Sequence, residues 1–329
     1  MTVAIVMRTR GRPLFLDRAL ASVAGQTYTD YELIVVNDGG DPANVEESVA
    51  RRPLPEPARA RITHHPVPVG LRSPPNAPIR ETDSTYVVIH DDDDTWDPRF
   101  LAETTRRLEE TGAMGVVATT DKVVEQVDED RITTIARTRL HPQVEHINLY
   151  AMCFENHATP IAFLYRREAY DTVGGYDEEL ETVADWDFAL RMLSRFDIEF
   201  LGAADALAFY HHRPGAAEED TNVVYGARHR QLENLLANRY LREDFVSGRP
   251  GLGLVMNALR YEYASRESLF GREKEAIDER IEYLADCIRK VDDRVTDLQR
   301  ALTPAERLRS DLRFIRTLPR RAFGRLGRS

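Results

Sequence analysis

Apolar positions in the first hundred residues follow two alternating patterns. Continuous apolar runs at Val3–Met7, Leu33–Val36 and Tyr86–Ile89 are typical of strands covered on both faces of a parallel sheet. Between them, Pro13–Ala24 and Val45–Arg51 carry apolar residues at helical spacing. The alternation of strand and helix predicts an open α/β sheet with helices on its faces.

The pattern beyond residue 100 is mixed and then becomes helical. Val116–Ala118 and Ile161–Tyr165 are short apolar runs that predict two further strands. Lys122–Ile135 predicts a β-hairpin, and Asp185–Leu193 predicts a helix. After Tyr225 the chain is expected to remain helical.

One helical segment is unusually regular. From Ile277 onward, apolar residues follow one another at alternating steps of four and three, and Phe270 extends the series in phase. The series comprises Ile277, Ile281, Leu284, Ile288, Val291, Val295, Leu298 and Leu302. This heptad period predicts a left-handed coiled coil that joins two or three copies of the chain. A long helix packed on its own domain is the alternative.

The last residues, 303–329, differ from the rest in charge. Eight arginines stand there against Glu306 and Asp311, a local charge of +6, with leucine, isoleucine and phenylalanine interleaved. A basic amphipathic segment predicts peripheral contact with an anionic membrane surface. A solvated tail is the alternative.

Composition narrows the class of protein. The net charge of −11 argues against a general nucleic-acid binder, because phosphate contacts need a basic surface. Cys153 and Cys287 lack partners at metal-ligand spacing, which argues against a disulfide framework or a zinc site. No run approaches the roughly 20 apolar residues of a membrane helix, and the apolar start is too short for a signal peptide. We expect a cytoplasmic protein that meets a membrane, if at all, peripherally at its inner face.

Four consecutive aspartates, Asp91–Asp94, directly follow the predicted strand Tyr86–Ile89. A bound cation relieves the repulsion between such carboxylates, and hard cations such as Mg²⁺ take oxygen ligands. In open α/β sheets ligands bind outside the carboxyl ends of the strands, where Arg8–Arg10 and Asn37–Gly40 are also expected. The run therefore predicts a cation and diphosphate site. An exposed acidic loop is the alternative, whereas a calcium loop lacks its glycine and distal glutamate.

Five segments of the chain carry motif-like sequences in a fixed order. They are Val6–Arg12, Tyr31–Gly40, Ile89–Pro98, Val173–Glu178 and Asp185–Phe188. Together they resemble the motifs of the family 2 glycosyltransferases of the GT-A fold, the third being the Asp-x-Asp metal motif. The resemblance covers Val3 to about Tyr210. It implies a Rossmann-like mixed sheet flanked by helices, and a metal-dependent, inverting transfer from a nucleotide-sugar.

The resemblance implies roles for the residues of the nucleotide half. Asp38 would hydrogen-bond the base, and Thr9 and Arg10 would line the base pocket. Asp91 and Asp92 would contact the ribose or the metal.

Three further residues complete the predicted donor site. Asp93 aligns with the principal metal ligand, with Asp91 framing the motif. Asp94 is expected to cap the following helix. Arg72 falls where the family often has a donor-binding arginine, although two prolines interrupt that segment.

In the acceptor half, the family's Glu-Asp motif reads Ala184-Asp185, so Asp185 is the predicted general base. Capping of the helix start is the alternative role for Asp185, and Asp187 is expected to be structural. By resemblance, His211 is a candidate metal or diphosphate ligand. His157 is a candidate to face the acceptor.

The predicted organisation has four parts. They are a GT-A domain at 1–215 (nucleotide-binding half 1–100, acceptor half 101–215), a helical extension at 216–265, a coiled-coil helix at 266–302 and a basic tail at 303–329. The expected activity is hexosyl transfer from a UDP-sugar to a glycan acceptor, with Mg²⁺ or Mn²⁺, in bacterial cell-surface polysaccharide synthesis. A nucleotidyltransferase is the first alternative, but the glycine-rich N-terminal loop with a lysine that is usual in that class is missing from this chain. A non-catalytic GT-A scaffold is the second alternative.

Overall fold

The computed structural model describes residues 2–66, 75–128, 131–180, 182–214 and 227–301, together with residues 306, 308, 309 and 312. The chain divides into two compact units, Met1–Arg260 and Tyr261–Ser329. Arg72 and most of the predicted tail 303–329 lie outside the described residues.

The first unit contains a seven-stranded main sheet in the order β10-β6-β9-β4-β1-β2-β3. Its strands are β1 Val3–Thr9, β2 Tyr31–Asp38, β3 Arg59–His65, β4 Tyr86–Asp91, β6 Gly115–Ala118, β9 Phe163–Arg166 and β10 Ile198–Leu201. All neighbouring strands run parallel except β9, which is antiparallel to both β4 and β6. The three apolar runs of the first hundred residues form the buried middles of β1, β2 and β4. This mixed sheet confirms the predicted α/β class.

Strand β3 was not predicted, since the chain between residues 51 and 86 was expected to be a proline-rich connection. Its residues are exposed or half-buried, and it pairs on one side only, with β2. An edge strand of this kind carries no continuous apolar run, because little of it faces the core. The aspartate run therefore follows the fourth strand of the chain rather than the third.

A second sheet of four strands has the order β5-β11-β7-β8. Its strands are β5 Thr95–Trp96, β7 Thr120–Asp128, β8 Arg131–Arg139 and β11 Ala208–His212. The antiparallel pair of β7 and β8 confirms the predicted hairpin, with a register irregularity at Val124 and Glu125. Strand β11 lies parallel to β7 and antiparallel to β5, so it joins the acceptor half to the segment that follows the aspartate run.

Helices cover the main sheet and continue beyond it. They are α1 Pro13–Ala24, α2 Pro42–Ala50, α3 Asn76–Arg80, α4 Phe100–Thr111, α5 Leu149–Phe154, α6 Arg167–Val173, α7 Ala184–Leu193, α8 Ala227–Ser247 and α9 Leu252–Ala301, with a 3₁₀ turn at Pro160–Ala162. Helix α1 has its predicted bounds. Helix α2 begins three residues earlier than predicted, because Pro42 opens it and the Asp41 carboxylate accepts a hydrogen bond from the backbone N–H of Ala43.

The parallel register brings the carboxyl ends of four strands to one edge of the main sheet. Thr9 at the end of β1 lies opposite Asn37 of β2, and Arg8 lies opposite Asp91 of β4. Polar residues that are far apart in sequence thus become neighbours at the edge where such sheets bind ligands.

The second unit contains the later part of α9, in which the predicted heptad residues face solvent. Six of them have described side chains, with exposed fractions between 44% and 69%: Ile277, Ile281, Leu284, Ile288, Val291 and Val295. These six side chains are therefore exposed to solvent along the described part of the seam. Among the described residues, no helix is both long and apolar enough to cross a membrane.

Candidate active site

The predicted base-binding residues lie at the ends of β1 and β2. Thr9 and Asp38 are buried, with 1% and 3% of their surfaces exposed, whereas Arg10 is exposed. His65 at the end of β3 places its Nδ1 atom 3.5 Å from Oδ1 of Asp38. The structure thus brings these residues to one edge, and Arg10 is the one whose side chain is open to solvent.

The loops after β1 and β2 pack closely against each other. The Asn37 amide donates to the Gly40 carbonyl at 2.8 Å and accepts from the Gly40 N–H at 3.0 Å. A Cβ atom on Gly40 would lie 2.9 Å from the backbone nitrogen of Gly11. A side chain at position 40 would therefore force the two loops apart, so glycine is required there.

Asp91 and Asp93, the predicted metal motif, lie at the end of β4. Asp91 keeps 22% of its side chain exposed and accepts a hydrogen bond of 2.8 Å from Arg8. Asp93 is buried and forms an ion pair with Arg213, while Arg12 lies 3.6 Å away. Both carboxylates are therefore held by arginines from other segments of the chain.

Asp92 and Asp94 have structural positions that differ from their predicted roles. Asp92 is fully buried and bonds through both oxygens to Arg12, so it does not face a ribose. Burial raises the pKa of Asp92 to about 6, although the Arg12 charge opposes the shift. Asp94 does not cap α4: its carboxylate accepts from the backbone N–H of His211 at 2.8 Å. The turn before α4 is instead held by Asp97, which accepts from the backbone N–H of Arg99.

His211 was predicted as a metal or diphosphate ligand. Its Nδ1 atom lies 2.6 Å from Glu125, and its Nε2 atom lies 2.8 Å from the Thr95 hydroxyl. Both ring nitrogens therefore have protein partners, and ligation of an ion would require one of these bonds to break. The ligand role of His211 stays a prediction.

Asp185 lies in the first turn of α7 and is half-buried. The Asn156 amide donates to its Oδ2 atom at 2.9 Å. Burial raises the pKa of Asp185 to about 6; backbone hydrogen bonds at the helix start oppose the shift, and the charges of Asp91 and Arg8 also act on it. The predicted base of the acceptor half and the predicted donor motif are thus electrostatic neighbours. Val183 occupies the cap position of α7, but the Asp185 carboxylate accepts backbone hydrogen bonds in the first turn, so the helix-start role remains an alternative for Asp185.

Two other residues hold elements together. Asp187 accepts from Arg191 and from the hydroxyl of Tyr240 on α8, each at 2.8 Å, in agreement with its predicted structural role. Asn76, the first residue of α3, is buried. It donates to the Tyr176 carbonyl and accepts from the Tyr176 N–H, so it anchors the Gly174–Tyr176 turn.

Comparison with known proteins assigns this arrangement. The family model described as "Glycosyl transferase family 2" matches residues 4–174, more than half of the chain. The chain belongs to this family. This assignment favours a glycosyltransferase over a nucleotidyltransferase.

The glycosyltransferase has relatives in several bacteria. It is 24% identical over 252 residues to the glycosyltransferase YwdF of Bacillus subtilis (strain 168), a match that covers 73% of this chain and 84% of YwdF. It is 28% identical over 284 residues to EpsJ of the same organism, covering 72% and 77% of the two chains. A PGL/p-HBAD biosynthesis glycosyltransferase of Mycobacterium bovis (strain BCG / Pasteur 1173P2) is 25% identical over 191 residues, covering 58% and 69%.

A solved structure shares the architecture of the glycosyltransferase. The crystal structure of S. aureus TarS 1-349 in complex with UDP-GlcNAc matches with a TM-score of 0.56 at 16% identity. The match covers 72% of this chain and 66% of that chain. At this identity the likeness shows the fold alone, which is the GT-A fold.

Sequence reasoning placed the aspartates of the glycosyltransferase but missed their partners. Arg8, Arg12 and Arg213 pair with Asp91, Asp92 and Asp93 respectively. Each arginine lies in or next to a segment that was selected for other residues. Its positive charge could have been used to predict an ion pair with the aspartates. Glu125, which also bonds to Arg18 at 2.6 Å, lies in the hairpin and had no signal of its own.

Proposed function

We propose that this glycosyltransferase moves a sugar from a UDP-sugar to a hydroxyl of a glycan acceptor, with inversion at the anomeric carbon. The solved structure of similar fold holds UDP-GlcNAc, and the mycobacterial relative is named a PGL/p-HBAD biosynthesis glycosyltransferase. The observation that carries the proposal is the neighbourhood of Asp185 with Asp91 and Arg8, since it unites an acceptor-side base with a donor-side motif.

Asp185 is the proposed general base. A carboxylate with a pKa near 6 is ionised at neutral pH and is more basic than an ordinary aspartate. It accepts the proton of the acceptor hydroxyl while that oxygen bonds to the anomeric carbon. The bond from that carbon to the diphosphate breaks in the same displacement, and the nucleoside diphosphate leaves. The hydrogen bond from Asn156 fixes one carboxylate oxygen during this step.

Arginines are the proposed partners of the leaving diphosphate. Arg8 and Arg18 keep 18% and 23% of their side chains exposed, whereas Arg12 and Arg213 keep 4% each. Arg8 and Arg18 are therefore accessible to a ligand. Arg12 and Arg213 are almost fully buried and hold the carboxylates of Asp92 and Asp93 in place. Arg213 also stacks over the Phe15 ring at 4.3 Å.

The chemistry of the donor set fits a divalent cation. Asp91 and Asp93 supply carboxylate oxygens at the end of β4, and Mg²⁺ and Mn²⁺ prefer such ligands. When bound, the cation supplies positive charge that stabilises the diphosphate as it leaves. Asp91 is the more accessible of the two ligands because 22% of its side chain is exposed, compared with 5% for Asp93.

The experiment is a donor screen on the full chain, with release of nucleoside diphosphate measured in Mg²⁺, Mn²⁺ or chelator. We expect one nucleotide-sugar to be hydrolysed slowly, in the presence of cation only, and to raise the unfolding temperature. Asp93→Asn should abolish hydrolysis, whereas Asp83→Asn, a matched change at an exposed loop residue before β4, should not. Absence of turnover and of stabilisation with every common donor would favour the non-catalytic scaffold.

We further propose that α9 joins copies of this chain. Its seam exposes six large aliphatic side chains at coiled-coil spacing, and burial of that seam against the same seam of a second or third copy would remove them from water. Whether two or three copies associate is decided by the mass of the full chain in solution.

A last proposal concerns the acceptor. The basic segment 303–329 suits an anionic membrane surface, and Leu308 and Leu312 expose 67% and 56% of their surfaces. We propose that the enzyme sits on the inner face of a bacterial membrane and extends a lipid-linked cell-surface glycan. Deletion of 303–329 should release the protein from vesicles that contain anionic lipid. Equal partitioning with and without the segment would refute the membrane contact.

A further inference from the structure

A second cluster of metal-ligating side chains lies in the acceptor half, apart from the aspartate run. It comprises His141, which follows β8, together with Glu155 and His157, which follow α5. One ligand atom from each residue lies within 4.8 Å of the ligand atoms of the other two. In the part of the chain that the structure describes, these are the three side chains that meet this criterion. We propose that they form a binding site for a transition-metal ion of the zinc type.

The spacing of the ligand atoms fits such an ion. His141 Nδ1 and His157 Nε2 lie 3.7 Å and 3.5 Å from Oε2 of Glu155. Zinc bonds to imidazole nitrogen and carboxylate oxygen at about 2.0–2.2 Å, so two ligands in a tetrahedron lie about 3.4 Å apart. Both measured separations are within a few tenths of an ångström of that value. Two imidazoles and a carboxylate also form a set that zinc prefers over magnesium.

The local backbone explains why these residues meet. Glu155 is in an extended conformation at the end of α5, and its Oε2 atom lies 3.5 Å from Nε2 of His157, so the two side chains face each other. His141 has a φ of +50°, a left-handed conformation in which a residue other than glycine is uncommon.

The His157 ring presents Nε2 to the cluster. Its side chain is only 8% exposed, and Nε2, the atom that lies 3.5 Å from Oε2 of Glu155, is the nitrogen that would bind the ion. The other ring nitrogen, Nδ1, is buried without a hydrogen-bond partner among the described residues, so no hydrogen bond to them holds the ring through that atom. The two rings are held near each other, with centroids 4.8 Å apart.

The surroundings indicate what the ion would do. His141 and His157 line a cavity of about 370 Å³ whose wall also includes Thr119, Arg139, Val144 and Phe200. Three protein ligands leave one tetrahedral position for water or a small ligand from this cavity. Asn156, between two of the ligands, holds Asp185. The ion would therefore link the end of β8 to the turn that positions the proposed base.

The test uses the full chain after treatment with a chelator, titrated with Zn²⁺ by calorimetry and with Co²⁺ as a spectroscopic probe of four-coordination. We expect one zinc ion per chain, retained in excess Mg²⁺ and in the Asp93→Asn variant. His141→Asn and Glu155→Gln should each weaken binding by at least about 100-fold. Asparagine accepts the left-handed backbone at position 141, and Glu155 is exposed, so both variants should fold.

His146→Asn is the matched control, because His146 lies in the same loop region but is exposed and outside the cluster. It should bind zinc like the unaltered chain. The proposal is overturned if the unaltered chain binds no zinc, if His141→Asn binds as tightly as His146→Asn, or if binding is lost in Asp93→Asn instead. Because this experiment measures metal binding, a negative result would refute the zinc site without bearing on the proposed transfer reaction.

Discussion

Replacement of Arg12 by methionine tests whether the aspartate run depends on its buried arginines. The Arg12 side chain is 4% exposed, Asp92 is fully buried, and Asp92 bonds to Arg12 through both oxygens. Methionine keeps much of the volume but leaves Asp92 buried without its cation. Breaking one side of a buried ion pair costs about 3–5 kcal/mol, because the remaining charge has neither water nor a partner. We expect a loss of that size in the free energy of unfolding at pH 8.

The loss should depend on pH in a defined direction. The folded-state pKa of Asp92 is about 6, above that of an unfolded aspartate, and it rises further when Arg12 is removed. Below pH 6 Asp92 is mostly protonated in both folded proteins, so the variant loses less. Above pH 6 the unaltered protein carries the charge beside Arg12, whereas the variant resists ionisation. The difference in stability should therefore grow by up to about 1.4 kcal/mol per pH unit until the variant's own pKa is reached.

Equilibrium unfolding in urea, followed by tryptophan fluorescence at pH 5.5 and pH 8, measures this difference. The chain has two tryptophans, Trp96 and Trp186, and both lie in the first unit, so the signal reports on that unit alone. Arg106→Met is the matched control, since Arg106 pairs with Glu103 and Glu110 on the exposed face of α4. It should leave the midpoint unchanged. Equal effects of the two substitutions, or an Arg12→Met effect that is the same at both pH values, would refute the reasoning.

Three further predictions address the catalytic base, the seam and the cation. Asp185→Asn should lower kcat by about 10²–10⁴ while donor binding, measured by thermal shift, is kept; in the unaltered enzyme kcat/KM should rise with pH around a midpoint near 6, because Asp185 must be ionised to accept a proton. Ile281→Lys combined with Ile288→Lys should reduce the mass measured by light scattering to that of one chain, whereas Arg280→Lys should not. Chelator should abolish turnover yet leave the unfolding temperature unchanged without donor, since arginines already pair with Asp91–Asp93.

The predictable parts of the fold are the elements whose burial produces a recognisable pattern of apolar residues in the sequence. Strands β1, β2 and β4 are covered on both faces and therefore appear as continuous apolar runs. Helix α1 buries one face and shows helical spacing. Edge strand β3 carries arginine and histidine on partly exposed backbone, and nothing local distinguishes it from a loop. Short strands such as β10 are missed for a related reason, because four residues are too few to define a period.

The candidate site was predictable in position but not in its contacts. Strand ends and motif order placed Asp38, Asp91 and Asp185, because each follows or begins an element with a clear signature. The contacts depend on packing between distant segments: Arg213 reaches Asp93 across 120 positions, and Glu125 reaches His211 across 86. No spacing rule covers such distances. The contacts of Asp92 with Arg12, and of His211 with Glu125 and Thr95, were therefore not predictable from the sequence.

The arginine pairs change the explanation of the aspartate run. From sequence alone, the repulsion within Asp91–Asp94 appeared to require a cation, because no nearby basic residue was evident in the run itself. In the folded chain, three guanidinium groups supply that compensation, and two of them, Arg12 and Arg213, do so in buried positions where charge pairing is strongest. Neutralising the aspartates in the folded chain and neutralising the negative charge of the leaving diphosphate are thus separate tasks. The first belongs to Arg12 and Arg213, which are almost fully buried. We propose that the second falls to the accessible Arg8 and to a cation held by the accessible carboxylate of Asp91.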